Sequence, residues 1–234
     1  PGDIKRITTW LSPDITVVTR IPDLPVHVEY FSSPEEVKKE KSELVKALKS
    51  TGTFISNADD AAVMGLASLT RAHMVSYGFG ETAMVRGSNP EVDYHERDDR
   101  MVPIGMKFNL DYHGEVHEVK LKGILGAHVA SAALAAAAVG VARKIPLKAI
   151  VEALDVLETP RGRMRIIAGK SGSTIIDDTY NSSPVALAAA LETLKGMKAN
   201  HRIAVLGDML ELGKYSNTEH WDVGRALGSW VDQL

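Results

Sequence analysis

The sequence predicts an α/β protein in two parts, and three observations carry that prediction. Short β-branched runs alternate with amphipathic helical stretches, the order that builds a mostly parallel sheet. Several strand-to-helix junctions carry a polar cap followed by proline, as in Ser33-Pro34 and Ser183-Pro184, which starts a helix sharply. The rhythm breaks at Glu158-Thr159-Pro160-Arg161-Gly162-Arg163 and then restarts. A domain boundary is placed there, giving domains 1–158 and 159–234.

In chain order, residues 1–11 read as the tail of a helix and Ile15-Thr16-Val17-Val18-Thr19 as a strand. Residues 20–30 hold prolines and His27 and read as a loop. A helix starts at Ser33-Pro34-Glu35-Glu36 and runs to about residue 50, with Val37, Leu44, Val45 and Leu48 on its apolar face. Lys41 falls on that same face. It either snorkels to the surface or is paired or modified, since a buried ammonium is costly. A strand at 53–56, a helix at 60–69 and a strand at 74–77 follow. Residues 81–123 change to antiparallel alternation, with strands at 107–112 and 116–121 about a His113-Gly114-Glu115 turn; His95, His113 and His117 read as surface residues. Next come an alanine-rich helix at 129–142, whose small side chains permit close packing, and an amphipathic helix at 145–157. Past the boundary the expectation is a hairpin over 164–176, a helix at 184–195, a strand at 203–206, a loop GDMLELG and a helix from about residue 218.

Composition narrows the class. The 234 residues are 44% hydrophobic and 24% charged, with a formal net charge of −3 and no cysteine. A disulfide scaffold, a thiolate nucleophile and Cys-ligated zinc are excluded. The charge argues against a nucleic-acid or membrane-surface binder. No apolar run reaches the roughly 18 residues of a membrane span.

Three constellations carry chemical potential. His27 and Lys41 lie fourteen residues apart, one in a strand-end loop and one on an inward helix face. His128 precedes the alanine helix. Arg161 or Arg163 combines with Asp177, Asp178, Tyr180 and Asn181, and with Gly207-Asp208-Met209 and Glu211. The stretch IIDDTYNSSP sets two acids at a strand's C-terminal end and beside a helix N-terminus, where open α/β sheets bind ligands and phosphate is favoured. A capped turn with no ligand fits the same residues. Gly169-Lys170-Ser171 is not a phosphate-cradling loop. The glycine required five residues earlier is Met164, and AGKSGST reads as a hairpin turn.

Taken together and in order, the stretches VHVEYFSSPEEVKKEKSEL, GAHVASAALAAAAVGVA, PRGRMRII, IIDDTYNSSPVALAAALETL and VLGDMLELG resemble the Mur ligases, ATP-dependent amide-forming enzymes of peptidoglycan synthesis. The last three stretches are the most specific, and they point to the branch that joins D-alanyl-D-alanine to UDP-N-acetylmuramoyl-tripeptide. The resemblance implies part of a P-loop-type central ATPase domain with a mostly parallel sheet, lacking its upstream Walker loop. Part of a Rossmann-like C-terminal domain follows it. It also implies ATP and Mg2+ as cofactors, the two peptide substrates as partners, no nucleic acid, no membrane insertion, a monomer and a cytoplasmic location. This 234-residue piece is expected to be inactive alone.

Residue by residue, His27 matches a magnesium-ligating histidine, and Lys41 matches a lysine carbamoylated in the family. His128 matches the histidine opening the ATP-side helix, and Arg163 an arginine that reaches ATP. Asp178, Tyr180 and Asn181 match the segment closing over the nucleotide. Two departures stand out. Family members commonly have asparagines one and four residues after the GxH histidine, where this chain has Val129 and Ala132. The strand-end TN-I-G pattern reads Thr19-Arg20-Ile21-Pro22. Two other readings remain: a folylpolyglutamate- or cyanophycin-type ligase, or a non-catalytic ligase-derived binding protein.

Overall fold

The computed structural model describes residues 1–158 and 160–234. Thr159, where the sequence places the start of the second domain, lies outside the described residues. The fold is mixed α/β. A short helix α1 (Asp3–Thr8) leads to strand β1 (Ile15–Val18), helix α2 (Pro34–Lys46) and strand β2 (Thr53–Asn57). Helix α3 (Ala61–Met64), extended by a 3-10 turn at Gly65–Leu69, precedes β3 (His73–Gly78). The long strands β4 (Val85–Arg97), β5 (Arg100–Tyr112) and β6 (Glu115–Lys122) follow, then helices α4 (Ala127–Ala142) and α5 (Leu147–Asp155). The six strands form one sheet in sequence order. The β1–β2, β2–β3 and β3–β4 pairings are parallel and the last two antiparallel.

Helix α2 starts where its sequence predicts: Pro34 occupies its first turn, with Glu35 and Glu36 beside it, where acids favour the positive helix end, although the Ser33 side chain makes no capping hydrogen bond. Val37 and Val45 on α2, with Leu48 just beyond it, are buried. The helix stops at Lys46, four residues before the sequence pattern implies, because the chain turns to bring Gly52 under Asp14. A Cβ on Gly52 would lie 2.7 Å from the Asp14 carbonyl oxygen.

Helix α4 is buried along most of its length, with Ala130, Ala133, Leu134, Ala137 and Ala138 all at most 3% exposed. Its small side chains let neighbours come close. A Cβ on Gly140 would meet Ile150 of α5 at 2.7 Å, and one on Gly87 of β4 would meet Leu134 at 2.7 Å. This is the close packing that the alanine run predicts. No helix among the described residues is long and apolar enough to cross a membrane.

The C-terminal segment holds the hairpin β7 (Arg165–Ala168) and β8 (Thr174–Asp177), then α6 (Pro184–Gly196) and α7 (Ser216–Leu227). It is fastened to the body by main-chain bonds: Leu125 N–H donates to Met164 O at 3.0 Å and Ile166 N–H to Gly123 O at 2.9 Å. Met164 and Met197 complete the main apolar core. The strand expected at 203–206 does not form. Ile203 makes one parallel bridge to Gln233, and Val205 is 92% exposed. A β-branched run becomes a strand only when a neighbour takes up its backbone groups, and among the described residues this one has a single bridge partner.

Candidate functional site

The strand-end acids at the end of β8 are bonded to the stretch that precedes β7. Asp177 at the end of β8 accepts from Gly162 N–H through Oδ2 at 3.1 Å and from the Thr179 hydroxyl through Oδ1 at 2.7 Å. The Thr179 hydroxyl chiefly, with the Gly162 and Thr179 N–H groups, holds its carboxyl below the usual carboxylate range, against the opposing effect of burial. Asp178 Oδ1 accepts from Met164 N–H at 3.1 Å. Tyr180 N–H donates to Gly162 O at 3.1 Å, and the Arg163 guanidinium lies over the Tyr180 ring, 4.0 Å from its centroid. The stretch PRGR and the stretch DDTYN are thus one unit, clipped together by the backbone of residues 162–164.

Gly162 is required for that clip. Its φ is +73°, and a Cβ there would fall 2.8 Å from the Tyr180 nitrogen. Gly162→Ala is expected to cost about 1–3 kcal/mol through left-handed strain and the backbone clash. Urea unfolding measures it; a loss under about 0.3 kcal/mol would mean that the clip is not rigid.

His128 faces this unit from the first turn of α4. Its Nδ1 is buried without a hydrogen-bond partner. Burial pushes its pKa down, the Asp178 carboxylate pulls it up, and Arg20 pushes it down again. The imidazole is therefore neutral near pH 7, with an unused nitrogen beside an acid and a guanidinium. Arg20 comes from the end of β1, and its neighbours are clamped. Asn57 Nδ2 donates to Thr19 O at 2.9 Å and Ile21 N–H to Asp60 Oδ2 at 2.9 Å. Arg20 enters the sequence reading only as a departure from the family pattern, although a cation at a strand's C-terminal end is itself a signal.

Lys41 is half-buried, and its Nζ donates to Arg20 O at 3.4 Å. Burial lowers its pKa, and the Asp60 carboxylate opposes that. Between its depressed folded pKa and 10.5, the unfolded chain binds more protons, so stability rises with pH across that window. Below the window the cost of burying the charged amine is present in full. Lys41→Met is expected to remove this slope. Urea unfolding from pH 7 to 10 should show the unsubstituted protein gaining on the variant as pH rises; parallel curves would place the amine in water.

His27 and Glu211 meet at a second point of the seam. His27 adopts φ +67° in the loop after β1, and its Nδ1 contacts Glu211 Oε2. The same C-terminal loop carries Met209, whose N–H donates to His220 Nε2 at 3.1 Å while His220 Nδ1 lies 2.8 Å from Ser216 O. That bond set ties the loop to α7. His220 was not legible as a loop anchor from sequence. The sequence-predicted residues thus fall into two clusters. His128, Arg163, Asp178 and Tyr180 form one, with Arg20 linking it to Lys41. His27 forms the other with Glu211. Asn181 joins neither through a hydrogen bond among the described residues; its Oδ1 accepts from the adjacent Ser182 N–H.

For magnesium, no three His, Asp or Glu side chains converge among the described residues. The available donors are His27, with the Glu211 carboxylate beside it, and Lys41, whose amine ligates a hard cation only after conversion to a carbamate. Magnesium keeps most of its shell as water and phosphate oxygen and takes one or two protein groups.

Polar groups gather at strand ends along the seam of two α/β segments, the place where open α/β proteins bind their ligands. Comparison with known proteins then gives the family. The Mur ligase middle-domain model matches residues 1–140, and the model described as Mur ligase, glutamate ligase domain, matches residues 162–234. The chain belongs to the Mur ligases. A UDP-N-acetylmuramoyl-tripeptide--D-alanyl-D-alanine ligase of Mycobacterium tuberculosis is 33% identical over 230 residues, 96% of this chain and 43% of the relative. The enzyme of the same name from Bacillus subtilis is 28% identical, over 97% of this chain and 46% of its own length. A crystal structure of MurF from Acinetobacter baumannii superposes with a TM-score of 0.83 at 26% identity, covering 97% of this chain and 47% of that one. The chain spans less than half the length of these relatives.

Proposed function

We propose that the protein containing this chain is an ATP-dependent ligase that joins D-alanyl-D-alanine to UDP-N-acetylmuramoyl-tripeptide in peptidoglycan synthesis, acting as a cytoplasmic monomer. The single observation that carries the reading is the clip of PRGR onto DDTYN beside His128. It aims a guanidinium, a ring and an acid pair at one seam, inside a chain that matches both Mur ligase domain models. The names of the relatives supply the substrates.

In this reading a carboxylate oxygen of the tripeptide attacks the γ-phosphorus of ATP and ADP leaves. The amine of D-alanyl-D-alanine then attacks the acyl carbon of the acyl phosphate, loses a proton and expels phosphate. Arg163, placed over the Tyr180 ring, offers a fork of N–H donors to the phosphoryl oxygens where charge accumulates. Asp178 fixes the backbone that carries Arg163 and sits beside His128. Tyr180 and Asn181 line the face that closes over the nucleotide, and His128 lends its free nitrogen from α4. A bound magnesium would neutralise phosphate charge, held by His27 and by Lys41 in its carbamoylated form. The domain division 1–158 and 159–234 belongs to the same reading: the two parts must close on each other for the reacting groups to meet.

Adenine recognition tests the chain-specific part. Ala132 is exposed, one helical turn beyond His128, so an amide at that position has room. Ala132→Asn is expected to tighten ATP binding about 2–10-fold, the worth of one net hydrogen bond. Unchanged affinity by calorimetry would mean that the base is read elsewhere.

The reaction is tested by ADP release from the full-length protein supplied with both peptide substrates. ADP release that requires both substrates supports the proposal. Turnover with glutamate or folate acceptors in place of D-alanyl-D-alanine would move the protein to another amide ligase class, and no ATP binding would leave a binding protein.

A further inference from the structure

The antiparallel strands β4 and β5 reach the C-terminal segment through two hydrogen bonds. The Tyr94 hydroxyl accepts from the Lys198 N–H at 2.9 Å, and the Lys198 ammonium lies 5.2 Å from the Tyr94 ring centroid, within cation–π range. Nearer the tip of the strand pair, Arg100 Nη1 donates to Ser171 O at 3.4 Å, in the turn between β7 and β8. The aim of Tyr94 is built into the strand pairing. Asp93 faces Gly105 but Tyr94 faces Pro103, so the register slips by one residue at Ile104. Such a bulge bends a strand and re-aims a side chain. It also accommodates Pro103, which has no N–H for the ladder.

The other side of this contact is equally defined. Lys198 follows the end of α6, where Met197 is buried in the main core. Arg202 donates there to Leu194 O at 3.2 Å and to Met197 O at 2.7 Å, a cation on the last carbonyls of a helix. The opposite end of α6 begins at the Ser183 cap, just after the acids and Tyr180 that are clipped to residues 162–164. The helix has 13 residues and is roughly 20 Å long, so it joins the grip on Lys198 to the clip as one lever. Between the β4–β5 pair and α6 lies a cavity of about 650 Å3, lined by Val92, Tyr94, Met106, His128, Ala189 and Thr193 among others. Close packing therefore does not set the spacing of α6 along that stretch, and the grip at its end does. We infer that Tyr94 is a positioning residue: by holding the end of α6 through the Lys198 N–H, it seats Asp178 and Arg163 opposite His128. The inference rests on the ligase reading proposed above.

The test uses the full-length protein, labelled with 15N-lysine for exchange measurements and supplied with ATP and both peptide substrates for kinetics. Tyr94→Phe keeps the ring and removes only the accepting oxygen. Exchange of the Lys198 amide is expected to quicken about 2–10-fold, the worth of one net hydrogen bond. The kcat is expected to fall by a similar factor while the KM for ATP stays within about twofold, the pattern of a loss felt only in the transition state. The bond is open to water, so the urea midpoint should not move. Lys198→Ala keeps the N–H and removes the cation, and should retain most of kcat. Unchanged Lys198 exchange in Tyr94→Phe would overturn the grip. Faster exchange with unchanged kcat, or a kcat loss that tracks a fall in the urea midpoint, would overturn the positioning role. So would an equal kcat loss in Lys198→Ala, which would put the effect on the ring contact. If the unsubstituted protein forms no amide while Lys198 exchange still responds to Tyr94→Phe, it is the ligase reading that fails, and the positioning role falls with it.

Discussion

Lys41→Met is expected to abolish ligation by a factor of about 10³ or more while leaving the fold intact. The stability side follows from the structure: the amine is half-buried, its pKa is lowered chiefly by burial, and its one hydrogen bond is a 3.4 Å contact to Arg20 O. An apolar side chain of similar length fills the same space without that penalty, so unfolding should show equal or greater stability. The activity side follows from chemistry. A depressed pKa leaves more free amine, the form that reacts with carbon dioxide to give a carbamate. The product is an anion whose oxygens suit a hard cation. Removing it deletes charge stabilisation at the phosphoryl group, worth about 4 kcal/mol for a factor of 10³. Steady-state ADP release together with circular dichroism measures both sides. A folded variant with more than about a tenth of the normal rate would take Lys41 out of the site.

Arg163→Ala is expected to lower kcat/KM by about 10²–10³, and Arg163→Lys to recover little of it. The guanidinium lies 4.0 Å from the Tyr180 ring centroid, a stacked placement that a planar fork can hold while still offering several donors to phosphate. An ammonium on a flexible stem keeps the charge and loses both the plane and the fork. The stack is exposed, with Tyr180 69% accessible, so the substitution should shift stability by less than about 0.5 kcal/mol. Kinetics on the two variants separate the roles: full recovery in Arg163→Lys would mean that only the charge matters.

The elements were legible where local chemistry decides them. Ser183-Pro184 predicts the start of α6, and Ser183 Oγ accepts from Ala186 N–H at 3.3 Å. AGKSGST reads as a hairpin turn, and β7 and β8 pair across it. The run at 203–206 failed because its strand character depends on a neighbour, which sequence spacing does not supply. The 60–69 helix divides into a single α-turn and a 3-10 turn, with Gly65 at the division.

At the site, the motifs located the clip of Gly162–Met164 on Asp177–Tyr180 but not its bonds. Those run from backbone N–H groups that no sequence pattern displays. Arg20 and Glu211 gained meaning only when the fold set one beside His128 and the other against His27. Both are long-range pairings: Arg20 with His128 within the first part, and Glu211 with His27 across the seam.

The most direct measurement of the central claim follows oxygen. The full-length protein is given tripeptide substrate with 18O in the reacting carboxylate, ATP and D-alanyl-D-alanine, and the released phosphate is weighed by mass spectrometry. One 18O is expected in each phosphate, because the carboxylate oxygen that attacks phosphorus leaves with it when the amine attacks carbon. Label found in AMP, or phosphate free of label while amide forms, would contradict it.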